Sequence, residues 1–210
     1  MNLLIIGATG GTGRELVRQA LDQGHKVTAF VRNPGKFHLQ HPNLTVAKGN
    51  VLDPVSVESA VIGKDAVLSA LGHKRWFIKT TILSVGTKNI IAAMEKHRVG
   101  RFVCETTLGI SETWGRLGLY YTLFVIPVIT YFYFKDKERQ ERLIKESMLD
   151  WTIVRPGQLT NGRKRGVYRH GDDIGNWIFT VHVSRADVAD FMLRQLVGSE
   201  YLRKTPAISY

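Results

Sequence analysis

Residues 3–13, LLIIGATGGTG, decide how this 210-residue chain folds. Four consecutive apolar residues with no polar alternation read as a strand buried on both faces, the habit of parallel sheets covered by helices. Gly7, Gly10 and Gly13 follow at intervals of three, and a helix over about 11–23 begins among them. Each glycine has its own reason: Gly7 permits the tight turn, Gly10 a close backbone approach, and Gly13 the packing of helix on strand. The first turn of a helix leaves N–H groups without partners, and Thr9, Gly11 and Thr12 add further amides and hydroxyls there. A strand, a glycine turn and a helix in this order form the phosphate cradle of a dinucleotide-binding unit.

Working outward, apolar and β-branched runs at KVTAFV (26–31), LTVAKG (44–49), DAVLSAL (65–71), RFVCET (101–106) and WTIVRP (151–156) read as further strands. Between them lie a helix opened by Asp53-Pro54 and ending near Gly63, a long amphipathic helix over 78–97, and a charged helix over 136–148. Strands alternating with helices of this length predict an α/β fold, Rossmann-like and doubly wound, its mainly parallel sheet covered on both faces. Residues 1–210 read as a single domain with an apolar insert at about 111–134.

The end of the second strand, FVRNPGKF, selects between cofactors. An acidic residue there would receive a ribose 2′-hydroxyl, whereas cations would receive a 2′-phosphate. Here Arg32 and Lys36 stand with no carboxylate between Val27 and Gln40, which predicts NADP(H). The net charge of +11 agrees with an anionic ligand. Its cations are dispersed into small groups (His73 to Arg75, Lys135 to Arg142, Arg163 to Arg165), which argues against a nucleic-acid partner. In the middle group Asp136, Glu138 and Glu141 alternate with the cations, as on a solvated helix face. A single cysteine, Cys104, and an N-terminus without a basic leader suit a reducing cytoplasm. The seven histidines have no metal-binding spacing, so no metal site is expected.

One stretch departs from the pattern. LGLYYTLFVIPVITYFYF (117–134) holds eighteen residues and no charge. Its length is at the lower edge of a membrane span, but Pro127 and the flanking Arg116 and Lys135 argue against one. A lid-like or buried insert, a membrane-surface contact and a self-association face all remain open.

With GATGGTG, VRNPGKF, GNVLDP, LSALG, KNIIAAMEKHRVGRFV and DWTIVRPG in this order, the chain resembles the atypical short-chain dehydrogenase/reductases of the NAD(P)H-binding, NmrA-like group. TTILSVGTKNIIAAMEKHRVGRFVCETT and the ending ADVADFMLRQLVGSEYLRKTPAISY are most similar to the biliverdin-IXβ reductase/flavin reductase branch. The resemblance implies that Asn50 and Val51 flank adenine, that Leu71, Gly72 and His73 pass along the middle of the cofactor, and that Thr106, Thr107 and Pro156 lie near the nicotinamide. Gly157 and Glu141 stand where the animal enzymes of that branch carry histidines, so nothing based on those histidines transfers.

YFYFKDK (131–137) contains Tyr-x-x-x-Lys twice, a spacing that puts both side chains on one helix face. In the wider family the dyad lysine precedes a glutamate by four residues and a leucine by six. Lys137, Glu141 and Leu143 match, so Tyr133 with Lys137 is the inherited pair and Tyr131 with Lys135 is not. Candidate catalytic residues are thus Thr107, Tyr133 and Lys137, with Tyr133 either donating a proton or only packing. The expectation is an NADPH-dependent reductase acting on a flavin, a bilin or a similar conjugated acceptor. A carbonyl or quinone reductase using Tyr133 and Lys137, and a non-catalytic NADP(H)-sensing or assembly protein, are the alternatives.

Overall fold

A computed structural model describes residues 1–73 and 78–210; Lys74 and Arg75 of the first basic group lie outside the described residues. Five parallel strands form the middle of the sheet: β1 (Asn2–Ile6), β2 (Lys26–Val31), β4 (Ala66–Ser69), β5 (Arg101–Glu105) and β6 (Asp150–Pro156). β3 (Leu44–Lys48) lies beyond β2, while the short β10 (Ala207–Ser209) and β8 (Arg169–Gly171) extend the other edge. The order is β3-β2-β1-β4-β5-β6-β10-β8, and among the described residues only β10 with β8 is antiparallel. A separate small pair joins β7 (Gln158–Thr160) to β9 (His182–Ser184). This is the Rossmann-like, doubly wound sheet expected from the runs of apolar residues.

β1 shows why those runs are continuous. Leu3 and Ile5 point into a core with α1 (Gly11–Asp22) and α5 (Arg185–Arg194). Leu4 and Ile6 point the other way, into a core with α2 (Pro54–Val61), α3 (Ile82–Lys96) and α4 (Tyr131–Glu146). Asp53 caps α2, accepting from Val55 N at 3.1 Å, and Ser184 caps α5, accepting from Asp187 N at 3.0 Å.

Two expectations change. The charged helix starts at Tyr131 rather than near 136, so the aromatic run is its first turn. Its acidic residues are not all solvated either: Asp136 and Glu141 are buried together with Lys137 and Gln140. Asp136 caps α3 from outside, accepting from Leu83 N at 2.9 Å, Ser84 N at 3.3 Å and Ser84 Oγ at 2.5 Å. A carboxylate at a helix N-terminus is favoured by the helix dipole, which offsets its burial.

The insert is neither wholly buried nor a span. Leu117, Ile126 and Phe134 pack with Leu108, Ile110 and Ile174 into a third, smaller core. Between them Tyr121–Ile129 is wound as a π-helical segment, with Thr130 N reaching back to Val125 O at 2.9 Å. Among the described residues no helix is long and apolar enough to cross a membrane.

The tightest junction lies under the glycine turn. A Cβ on Gly13 would sit 2.1 Å from the Gly7 carbonyl oxygen, and one on Gly7, whose φ is +81°, would sit 2.4 Å from the Ala70 carbonyl. Both obstacles are backbone and cannot swing aside. Gly13→Ala is expected to cost at least about 2 kcal/mol in urea unfolding. Gly10→Ala, whose Cβ would approach only Gly7 O at 3.2 Å, is expected to fold with far smaller loss.

Candidate functional site

The sheet reverses its winding between β1 and β4, and a cleft of about 860 Å³ opens there. The glycine turn forms one wall through Gly7, Thr9, Gly10, Gly11 and Thr12. The N-terminus of α1 has Gly10 at its cap and no side-chain hydrogen bond on its first amides. Uncapped N–H groups facing a cleft, on a turn whose glycines let the backbone approach closely, fit a pyrophosphate.

Toward β2 the lining passes to Phe30, Val31 and Arg32, and then to Asn50 and Val51. Arg32 is exposed and pairs with no carboxylate among the described residues, so its guanidinium is available to an anion. Asn89 of α3 donates to Val51 O at 2.8 Å and holds that turn in place. Lys36 does not line this cleft. It faces a neighbouring hollow of about 380 Å³ with Arg14, Arg18 and His38, so of the two cations expected after β2 only Arg32 lines the cleft itself.

Toward β5 the floor is built by Leu71, Gly72, His73, Thr106, Tyr133 and Lys137. Lys137 is only 1% exposed, and its Nζ donates to Glu105 O at 3.0 Å and Leu71 O at 3.2 Å. It therefore ties the ends of β4 and β5 together and fixes a positive charge between them. The ammonium lies 5.8 Å from the Tyr133 ring centre, and His73 meets the same ring edge-on at 5.1 Å. His73 Nε2 also pairs with Thr80 Oγ1 at 2.9 Å. The other register is absent from the cleft: Tyr131 is exposed, and Lys135 binds Glu138 at 2.8 Å.

Three expected positions are placed elsewhere. Thr107 is half-buried, its hydroxyl donates to Leu108 O at 3.0 Å, and it is not in the cleft lining. Pro156 is buried at the end of β6, and Gly13 lies beneath the turn, both outside the lining. Thr106 reaches the cleft, but its hydroxyl donates to Glu141 Oε1 at 2.7 Å.

Two charged residues of the lining escaped the sequence reading. Glu105, at the end of β5, is buried and accepts from Thr12 Oγ1 at 3.0 Å. Burial pushes its carboxyl up, against the opposing pull of Lys137, the Thr12 hydroxyl and Arg185. An acidic residue ending an apolar strand was the available signal. Arg185 begins α5 and lies over Gly11, leaving 2.4 Å between its Cδ and a Cβ placed there; its Nη1 donates to Asn161 Oδ1 at 2.7 Å. Only the tertiary fold brings it to the turn.

Glu141 explains its own departure from histidine. It forms a fully buried pair with Arg155, whose Nε donates to Glu141 Oε1 at 2.9 Å and whose Nη1 donates to Glu112 Oε1 at 2.8 Å. Thr106 is thus fixed by a network reaching from α4 through β6 to the loop after β5.

The NAD(P)H-binding family profile matches residues 7–198. The chain belongs to the NAD(P)H-binding family. Within it, a chloroplastic protein of Arabidopsis thaliana described as uncharacterized is 29% identical over 94% of this chain and 72% of its own length. Photosystem II assembly factor Ycf39 of Synechocystis is 27% identical over 98% of this chain, and that of Cyanophora paradoxa 30% over 95%. This chain spans only 61% and 60% of those two proteins. Among solved structures, the anaerobilin reductase ChuY of Escherichia coli O157:H7 superposes with a TM-score of 0.81 at 22% identity, covering 100% of this chain and 97% of that one. A short-chain dehydrogenase/reductase of Veillonella parvula in complex with NADP gives 0.81 at 18% identity, covering 100% and 94%. At those identities the likeness concerns the fold alone.

Glu112 gives the network a pH signature. Burial alone would raise its carboxyl, but the hydrogen bond and charge of Arg155 hold it down at about 2. A carboxylate depressed below its ordinary value near ~4.3 contributes stability above that value and loses it as pH falls toward about 2. Glu112→Gln is expected to lower stability at pH 7 by no more than about 1 kcal/mol, because the side chain is half exposed. In urea titrations the gap from wild type should shrink progressively once the pH drops below ~4.

Proposed function

We propose that this protein is an NADPH-dependent reductase that passes hydride to a flavin, a bilin or a similar conjugated acceptor, with the proton coming mainly from solvent. The observation that carries this reading is Lys137, a cation buried at the inner floor of the cleft beside Tyr133, with Arg32 on the opposite, β2 side. The bound nicotinamide supplies the hydride. The chain's own residues then have separable tasks. The uncapped amides of α1 hold the pyrophosphate, Arg32 receives the 2′-phosphate, and Asn50 with Val51 borders the adenine.

At the reacting end Lys137 favours negative charge arriving on the acceptor, and its two carbonyl partners prevent it from swinging away. The Tyr133 ring and Leu71 supply an apolar surface on which a planar acceptor can stack. A conjugated acceptor spreads the incoming charge over its π system, so a positioned acid matters less than it would for an isolated carbonyl.

Two measurements test this. Purified protein should oxidise NADPH in the presence of FMN, riboflavin or biliverdin, and Tyr133→Phe should keep the rate within about threefold. A loss of about a hundredfold or more would instead make Tyr133 the proton donor of a carbonyl or quinone reductase. Arg32→Ala is expected to lower kcat/KM for NADPH by about tenfold to a hundredfold while leaving NADH little changed, the worth of one charge-assisted hydrogen bond.

A second reading draws on the Ycf39 relatives, which are assembly factors. Here NADP(H) binding would set the conformation of an assembly protein without turnover. Tight NADPH binding with no oxidation by any of these acceptors is the outcome that favours it.

A further inference from the structure

The fold leaves one large apolar face uncovered. Leu119, Tyr120, Leu123, Phe124 and Val128 project from the insert, and Tyr131 and Phe132 continue the face into α4. Leu123 is 66% exposed. A second segment adjoins it: Trp177, Ile178 and Phe179 are 66%, 67% and 72% exposed. The two are one surface, because Leu119 N donates to Ile178 O at 3.2 Å and Gly115 lies against the Trp177 ring.

This face is not a core waiting to close. Its anchoring residues, Leu117, Ile126, Phe134 and Ile174, are already buried beneath it. The exposed side chains are those left over once that core is filled. Exposed apolar surface of this extent marks an interaction site.

Charge identifies the occupant. Residues 113–135 and 174–184 contain no Asp or Glu, although the chain has 18 of them, and they hold Arg116 and Lys135, the latter paired with Glu138 at 2.8 Å. The molecule as a whole carries +11. Two copies meeting face to face would bring two such charges together, whereas an anionic surface gains from the same field. Exposed Trp and Tyr beside Leu, Ile and Phe, free of carboxylates, match the chemistry of a headgroup boundary.

We propose that this face seats the protein on an anionic lipid bilayer, inserted into the headgroup boundary without crossing it. The docking requires no cofactor and is independent of how the cleft is used.

The test mixes the full chain with vesicles of phosphatidylcholine, with and without phosphatidylglycerol, and measures flotation and tryptophan emission. The chain is expected to float with the anionic vesicles, more weakly with the neutral ones, and its emission to shift to the blue on binding. Trp177→Ser/Phe179→Ser should weaken partitioning by about tenfold or more with the unfolding midpoint retained. Leu123→Ser/Phe124→Ser, on the other segment, should act in the same direction. No flotation with anionic vesicles, or flotation unaffected by both double variants, overturns the proposal. So does a dimer in sedimentation that these substitutions dissolve, since a second copy would then be the occupant.

Discussion

The approach of Gly13 to the Gly7 carbonyl is the constraint from which the rest of the site follows. It seats α1 directly over the end of β1, closer than any side chain would allow. That closeness aims the uncapped amides of α1 into the cleft between β1 and β4. It also brings the far side of α1 against α5, where Gln19 Nε2 donates to Ala186 O at 2.8 Å. One missing Cβ thus couples the packing of a whole face to the geometry of the phosphate cradle.

A second framework is polar and belongs to α4. Asp136 caps α3, Lys137 ties β4 to β5, Gln140 donates to Thr87 at 2.9 Å, and Glu141 holds Arg155 and Thr106. Each of these side chains is buried, and together they bind α3, the ends of β4 and β5, and β6. Buried polar groups cost free energy unless they are hydrogen-bonded, so these bonds fix α4 in one position along the sheet. Tyr133 and Lys137 inherit that position. A cation held this rigidly presents its charge to the cleft without having to reorganise.

The fold was legible because parallel strands buried on both faces leave continuous apolar runs, and because Gly7, Gly10 and Gly13 admit few alternatives. That Tyr133 and Lys137, rather than Tyr131 and Lys135, line the cleft was legible from Glu141 and Leu143. The buried face of α4 was not, since Asp136 and Glu141 look like solvated charges until partners some fifty and fourteen residues away are brought to them. Arg185 was invisible for the same reason. Thr107 and Lys36 were read from their places beside strand ends, and neither lines the cleft: one hydroxyl found a local carbonyl, and the lysine entered the neighbouring hollow. The strands β7 to β10 have only three residues each, too few for periodicity to show.

The central claim is that the glycine turn and Arg32 together make a site for a phosphorylated nicotinamide dinucleotide. Calorimetric titration of the wild-type chain with NADPH and with NADH tests it most directly. Saturable binding of NADPH, tighter than NADH by about tenfold or more, is the expected result. Equal affinity for both would remove the role given to Arg32, and no binding of either would contradict the account of the cleft altogether.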